Sequence, residues 1–192
     1  MASAFAHAFA AVVVGKTFWH DEARWRVWTW AAFCAVIPDA DVIGFVFGIQ
    51  YGDLLGHRGL SHSLLFALVL SLVVTRVACA PTPAGSRAWW RQLALFFGAT
   101  ASHGVLDAMT TGGLGVAFFS PFDPTRYFFP WRPIQVSPIG VGAFFSARGL
   151  RVILSEVVWV SVPCALFWIG GVAWRHRQRR TSESNLPNNP TW

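Results

Sequence analysis

VWTWAAFCAVIPDADVIGFVFGIQ, residues 27–50, is the stretch on which the reading of this chain turns. It is long and apolar enough to cross a hydrocarbon layer, which takes about 20 residues. Yet its middle carries Pro38, Asp39 and Asp41. An Asp at the centre of a membrane helix costs about 2.5–3.5 kcal/mol on insertion scales. Pro38 removes a backbone donor and interrupts the regular helix. Backbone interrupted in this way is not tolerated against lipid, so both carboxylates are expected to face an interior cavity. Two acids this close repel unless a cation or a proton sits between them. A helix cap accounts for Asp39 alone and not for the pair.

The rest of the chain has the same character. Segments 60–80, 93–109 and 150–174 are long and apolar. A fifth, 2–15, is short and reads as a partial span or as a helix packed inside the bundle. Trp28, Trp30, Trp89, Trp90 and Trp174 cluster at segment ends, as in an interfacial aromatic belt. Trp159 and Trp168 read as packing residues. Of 192 residues, 54% are hydrophobic and 12% charged, with a mean hydropathy of +0.46. Soluble domains carry about 25% charged residues. These values exclude a disordered chain, a coiled coil and an ordinary soluble enzyme. The expected fold is all-α, a polytopic membrane bundle of four to five spans. One helical domain covers 1–174, with a long Gly-, Pro- and Phe-rich outer loop at 110–149, between the last two spans. Loops of that length without structure of their own are functional or mobile, and this one is expected to hold short interfacial helices or a lid. A basic and then disordered tail follows at 175–192.

The net charge is +6 and the pI about 10.2. No basic run is interleaved with aromatics, so nucleic acid is not an expected partner. The positive charge reads instead as an orientation signal. With five crossings, Lys16, Arg24, Arg26, Arg76, Arg87, Arg91, Arg175, Arg177, Arg179 and Arg180 share one side, and Arg58, Arg126, Arg132, Arg148 and Arg151 the other. The richer side is expected to be cytoplasmic, which puts the C-terminus inside. Cys34, Cys79 and Cys164 lie far apart in apolar stretches and read as small core residues. Residues 1–16 resemble a signal core without a basic leader, so a removable signal peptide is not expected.

The chemistry lies in polar residues at membrane depth. They are His7, Asp39, Asp41, His57, His62, His103 and Asp107. Only His20 and His176 of the six histidines fall outside this set or its motifs. His103 and Asp107 share one helix face at four-residue spacing. They can bind one metal, or the acid can orient the imidazole. An interhelical hydrogen bond is the simpler alternative. His57, Arg58 and His62 stand in GHRGLSHSLLF, where Gly56 and Gly59 permit a tight turn. Ser61 is expected to cap the next helix, placing His62 in its first turn. Interfacial histidines are the simpler alternative here, and a packed polar side chain is the alternative for His7.

The topology brings all seven to one depth near the outer face, which the separate alternatives do not explain. Imidazoles with carboxylates suit Zn²⁺, favoured here, with Mn²⁺ or Fe²⁺ as other candidates. Seven ligands are enough for two ions, and two ions about 3.5–4 Å apart are the usual machinery for phosphoester hydrolysis by a bridging hydroxide. Arg58 and Asp39 are the expected catalytic pair. Arg58 is placed to clamp a phosphate bidentately. Arg126 and Arg132 are further substrate-binding candidates, with interfacial snorkelling as the alternative.

At these residues the sequence resembles the LexA-regulated, inner-membrane-associated metal-dependent hydrolases (YdjM-like). The resemblance rests on His7, PDAD (38–41), HRGLSHS (57–63), SHGVLDAMTTGG (102–113) and FFSPF (118–122), and it covers most of 1–140. It is specific through the combination of motifs. It implies that His7, Asp39, Asp41, His57, His62, His103 and Asp107 are the family's polar positions, in a multi-pass protein of the bacterial inner membrane. A fainter similarity is to zinc phospholipase C and P1-type nucleases, helical enzymes with H-x3-D metal pairs.

The expected function is metal-dependent hydrolysis of a phosphoester, lipid or lipid-linked, because the site lies at bilayer depth among membrane lipids. A metal-binding membrane protein or transporter without hydrolysis is the first alternative. A scaffold whose His/Asp network only ties helices together is the second.

Overall fold

The structure, a computed structural model, describes residues 1–22, 24–79, 81–139 and 141–184. Its regular elements are helices, with no strand among the described residues. Helix α1 spans Ala4–Phe18 and begins at Ser3, whose hydroxyl accepts the Ala6 N–H. Such caps satisfy one of the free donors of the first turn. Helix α2, Trp25–Val36, runs directly into a 3-10 helix at Ile37–Phe47. The change of winding falls at Pro38, whose ring cannot sit against the carbonyl four residues back in an α-helix. The break expected there is therefore a tightening of the helix.

A short 3-10 turn, Leu60–His62, precedes α3 at Leu64–Ala78. Ser63 caps α3 by accepting the Phe66 N–H. This corrects the expected cap at Ser61: that hydroxyl is bonded to Asp41 instead, and His62 lies before the helix. Helix α4 spans Arg87–Ala108 from a cap at Ser86. After the long loop come α5 at Val141–Phe144, α6 at Ala147–Glu156 and α7 at Val162–Ser184. A single π-helical turn at Val157–Ser161 joins α6 to α7. The basic stretch 175–180 and residues 181–184 thus belong to α7. The remainder of the tail read as disordered, 185–192, lies outside the described residues.

Two continuous helices have the length and hydropathy to cross a membrane, Trp25–Phe47 and Ala147–Thr181. The expected four to five spans needed α1, α3 and α4 as well. Helices α1 and α3 have 15 residues each. At 1.5 Å per residue they fall short of a hydrocarbon core of about 30 Å. Helix α4 is long enough, but Arg87, Arg91, Gln92, His103 and Asp107 dilute its hydropathy.

Helix α4 packs against α1, α2 and α3. Their shared core uses small side chains, including Ala31, Cys34, Ala35 and Ala99, around Phe96. Small residues let membrane helices approach closely. Gly104 extends this: a Cβ there would stand 3.1 Å from the His62 carbonyl oxygen. Residues 110–134 of the loop fold back over this end of the bundle, while α5 and the first turn of α6 form within the stretch expected to be loop to 149. Thr110 bridges to Ile134, Val116 to Tyr127, and the Ala117 N–H donates to the Arg58 carbonyl.

Candidate metal centre

Three motifs deliver four side chains to one point. The 3-10 helix brings Asp39, the turn before α3 brings His62, and α4 brings His103 and Asp107. His103 Nε2 lies 3.0 Å from His62 Nε2 and 3.3 Å from Asp39 Oδ1. His62 Nε2 lies 3.7 Å from Asp39 Oδ1 and 3.6 Å from Asp107 Oδ2. Asp107 Oδ2 is 4.0 Å from His103 Nε2. All four residues are buried.

The surrounding bonds decide where the lone pairs point. His103 Nδ1 lies 2.7 Å from the Ala35 carbonyl oxygen, which can only accept. The ring therefore carries a proton on Nδ1 and turns Nε2 toward the cluster. His62 Nδ1 faces the Ser61 hydroxyl at 2.9 Å and Asp41 Oδ2 at 3.2 Å. Since Ser61 gives its own proton to Asp41, His62 also donates from Nδ1 and turns Nε2 toward the other three side chains. Second-shell acceptors of this kind set the tautomer and aim of metal-binding imidazoles.

Two imidazole Nε2 atoms and two carboxylates thus meet at a buried point. Neither Asp39 oxygen has a hydrogen-bond donor, nor does Asp107 Oδ2. Arg58 Nε, 3.0 Å from Asp107 Oδ2, offsets that carboxylate, and a further cation among the four, or a proton on an Nε2, would offset the rest. A tetrahedral ion with bonds of about 2.0–2.1 Å needs ligand atoms about 3.3–3.4 Å apart. The five separations above bracket that value. The donor set and its spacing fit a divalent ion.

The other expected ligands stand outside this tetrad. Asp41 is saturated by donors: His57 Nδ1 at 2.7 Å on one oxygen, Ser61 and the Arg58 N–H on the other. His57, Asp41 and His62 form a second group that shares His62. His57 Nε2 is buried without a hydrogen-bond partner. His7 stacks on the His103 ring at 3.7 Å, with Nε2 3.4 Å from Asp107 Oδ1. That oxygen also accepts the Ala2 N–H at 2.7 Å.

Two of the three arginines expected to hold substrate, Arg58 and Arg126, are bonded within the protein. Arg58 is fully buried. Its Nε lies 3.0 Å from Asp107 Oδ2, and its two terminal nitrogens donate to the Gly112 carbonyl and the Thr110 hydroxyl. It sits at φ +64, a left-handed conformation rare outside glycine. Gly113 makes room for it: a Cβ there would stand 2.7 Å from Arg58 Nη1 and from the Tyr51 hydroxyl. Arg126 donates to the carbonyls of His57, Tyr51 and Asp53 and so ties down the loop before Arg58. Arg132 is exposed over the Phe128 ring, 4.6 Å from its centroid.

One buried acid escaped the sequence reading. Glu156 accepts from the Ser3 N–H and hydroxyl at 2.5 and 2.6 Å. It pins the start of α1, and so His7, to the π-turn of the last helix. The available signal was a lone acid inside the apolar segment 150–174.

No solved structure matches this chain. The inner membrane protein YbcI of Escherichia coli (strain K12) is 40% identical over 143 residues, which is 74% of this chain and 80% of that protein. The model of the YdjM inner membrane protein family matches residues 1–179, which include the His/Asp cluster. The chain belongs to the YdjM inner membrane protein family.

Proposed function

We propose that this protein is a multi-pass inner-membrane hydrolase whose metal site lies toward the outer face, with the C-terminus in the cytoplasm. The observation that carries the reading is the convergence of two imidazole Nε2 atoms, the donor-free carboxylate of Asp39 and Oδ2 of Asp107 at one buried point. Asp39, His62, His103 and Asp107 would hold one divalent ion, Zn²⁺ by preference for this donor set. Such an ion supplies a Lewis acid and an activated water. Asp41 holds the Nδ1 protons of His57 and His62 and keeps their rings in place. Arg58 offsets the charge of Asp107. His7 packs the His103 ring against α1. In this reading Asp41, His57 and His7 orient the centre, and the seven-ligand, two-ion expectation narrows to four ligands. The substrate class is a phosphoester of a lipid or lipid-linked molecule, supported by the carboxylate–imidazole chemistry and by the helical, apolar surroundings.

A second reading is metal binding or transport without hydrolysis. One observation favours it: the described structure closes over all four ligands, and Arg58 is already spent. Buried Ser71, Thr75, Gln92 and Thr100 also line the helices below the site.

Metal analysis of the purified protein tests both. About one equivalent is expected in the wild type and none in His103→Ala with Asp107→Ala. Equal metal in both removes the metal centre. Chelator-sensitive phosphate release from lipid phosphoesters supports hydrolysis. Metal flux in proteoliposomes without such release selects the second reading.

A further inference from the structure

Two cavities adjoin along the second half of α1, the first running from Phe18 up to Leu106 on the outside of α4 and the second at the Lys16 end. One, of about 340 Å³, is an apolar groove between α1, α4 and α7, lined by Ala11, Gly15, Phe18, Ala94, Gly98 and Cys164 among others. Small residues create it. A Cβ on Gly98 would meet nothing within 4 Å. The other, of about 470 Å³, is a cup lined by Lys16, His20 and Arg175 together with Trp25, Trp28 and Trp168. Trp19 borders both.

We propose that groove and cup together bind one anionic phospholipid, with an acyl chain along α4 and the phosphate among Lys16, His20 and Arg175. The argument is charge complementarity joined to an apolar slot of matching polarity. Glu22 also lines the cup, but Arg24 holds its carboxylate through Nε at 2.8 Å and Nη2 at 2.6 Å. Lys16 lies over the Trp28 ring at 5.7 Å, and Arg175 donates to the Thr17 carbonyl. Among the described residues, neither cation has an acidic partner in an ion pair. Basic pockets between membrane helices on the cytoplasmic side are built to take anionic headgroups. The tryptophans place the cup at headgroup level. Gly171 lets α7 close against Thr17, which brings Arg175 to the rim. This site is independent of the metal reading and of any hydrolysis.

The test uses the full chain in detergent, titrated with dioleoyl-phosphatidylglycerol, dioleoyl-phosphatidylcholine or inorganic phosphate, and read by native mass spectrometry and thermal unfolding. Saturable retention of phosphatidylglycerol, about tenfold or more over phosphatidylcholine, is expected from two headgroup cations. Lys16→Gln with Arg175→Gln should erase the preference. Gly98→Phe should reduce retention of both lipids at unchanged metal content, and it has open space to fill. Equal retention of the two lipids by the wild type overturns the proposal. So does a preference unchanged in the double variant, or retention unchanged by Gly98→Phe. A thermal shift produced equally by inorganic phosphate shows a free-anion site and also overturns it.

Discussion

Helix α4 carries charge at both ends, and the two ends differ in kind. Near its start, Arg91 grips Asp21 with bonds of 2.9 and 2.5 Å, opposite charges paired in partial contact with solvent. Near its end, Asp107 and His103 are fully buried and face Asp39 and His62, which are acceptors too. The first arrangement is complete as it stands. The second gathers acceptors, with Arg58 set against Asp107 alone, and is a candidate cation site. Surface pairs contribute little to stability. A buried acid without compensation is costly. The difference separates a fastening from a binding site, and mutation can probe each side of it.

The largest effect is expected at the tetrad. Asp39→Asn with His62→Ala should leave no bound metal by elemental analysis, while helix content by circular dichroism persists. Retained metal would equate the two ends of α4. Next comes Arg58→Met, which leaves Asp107 buried without its counter-charge. It should destabilise the protein by about 3–5 kcal/mol, the usual cost of breaking a buried pair. Thermal unfolding in detergent measures this, and adding the metal should recover part of the loss. Asp41→Asn is milder. It should weaken metal affinity about 10–100-fold, as second-shell changes do, with little change in folding. A competitive chelator titration reads it.

The smallest effect is expected at the other end. Arg91 beside Asp21 holds that carboxyl down at about 2, below its ordinary 3.8. A depressed acid contributes stability above its unfolded value and loses it as pH falls through the folded one. Asp21→Asn should therefore shift the melting temperature only slightly at neutral pH. The gap from wild type should shrink below pH 4 and close near pH 2. Added salt should close it at neutral pH as well. A large neutral-pH effect that is insensitive to salt would break the contrast.

Much of this was legible in the residues. Asp39, His103 and Asp107 stood out because acids and imidazoles are expensive inside apolar segments. Their separate motifs met once the segments were threaded in alternating directions. Pro38 marked the change of winding. Other features were not legible, each for a physical reason. The division of labour between Asp39 and Asp41 depends on which carboxylate the 3-10 helix turns inward, and both stand in the same four letters. Ser61 and Ser63 are equally good caps in sequence. The choice fell to Ser63 because Asp41 claims the other hydroxyl. Arg58 looked free for a phosphate because Gly112, Thr110 and Asp107, its partners, come from the distant α4 end and loop. The number of crossings is blurred by α1 and α3, which are apolar but short.

The central claim is that one cation is held by two imidazoles and two carboxylates at Asp39, His62, His103 and Asp107. X-ray absorption at the metal edge of the purified, metal-loaded protein tests it directly. The expected spectrum has only nitrogen and oxygen neighbours near 2.0–2.1 Å, with the outer-shell scattering of two imidazole rings. Sulfur at about 2.3 Å, which would bring in Cys34, Cys79 or Cys164, or a spectrum unchanged in Asp39→Asn with His62→Ala, would contradict it.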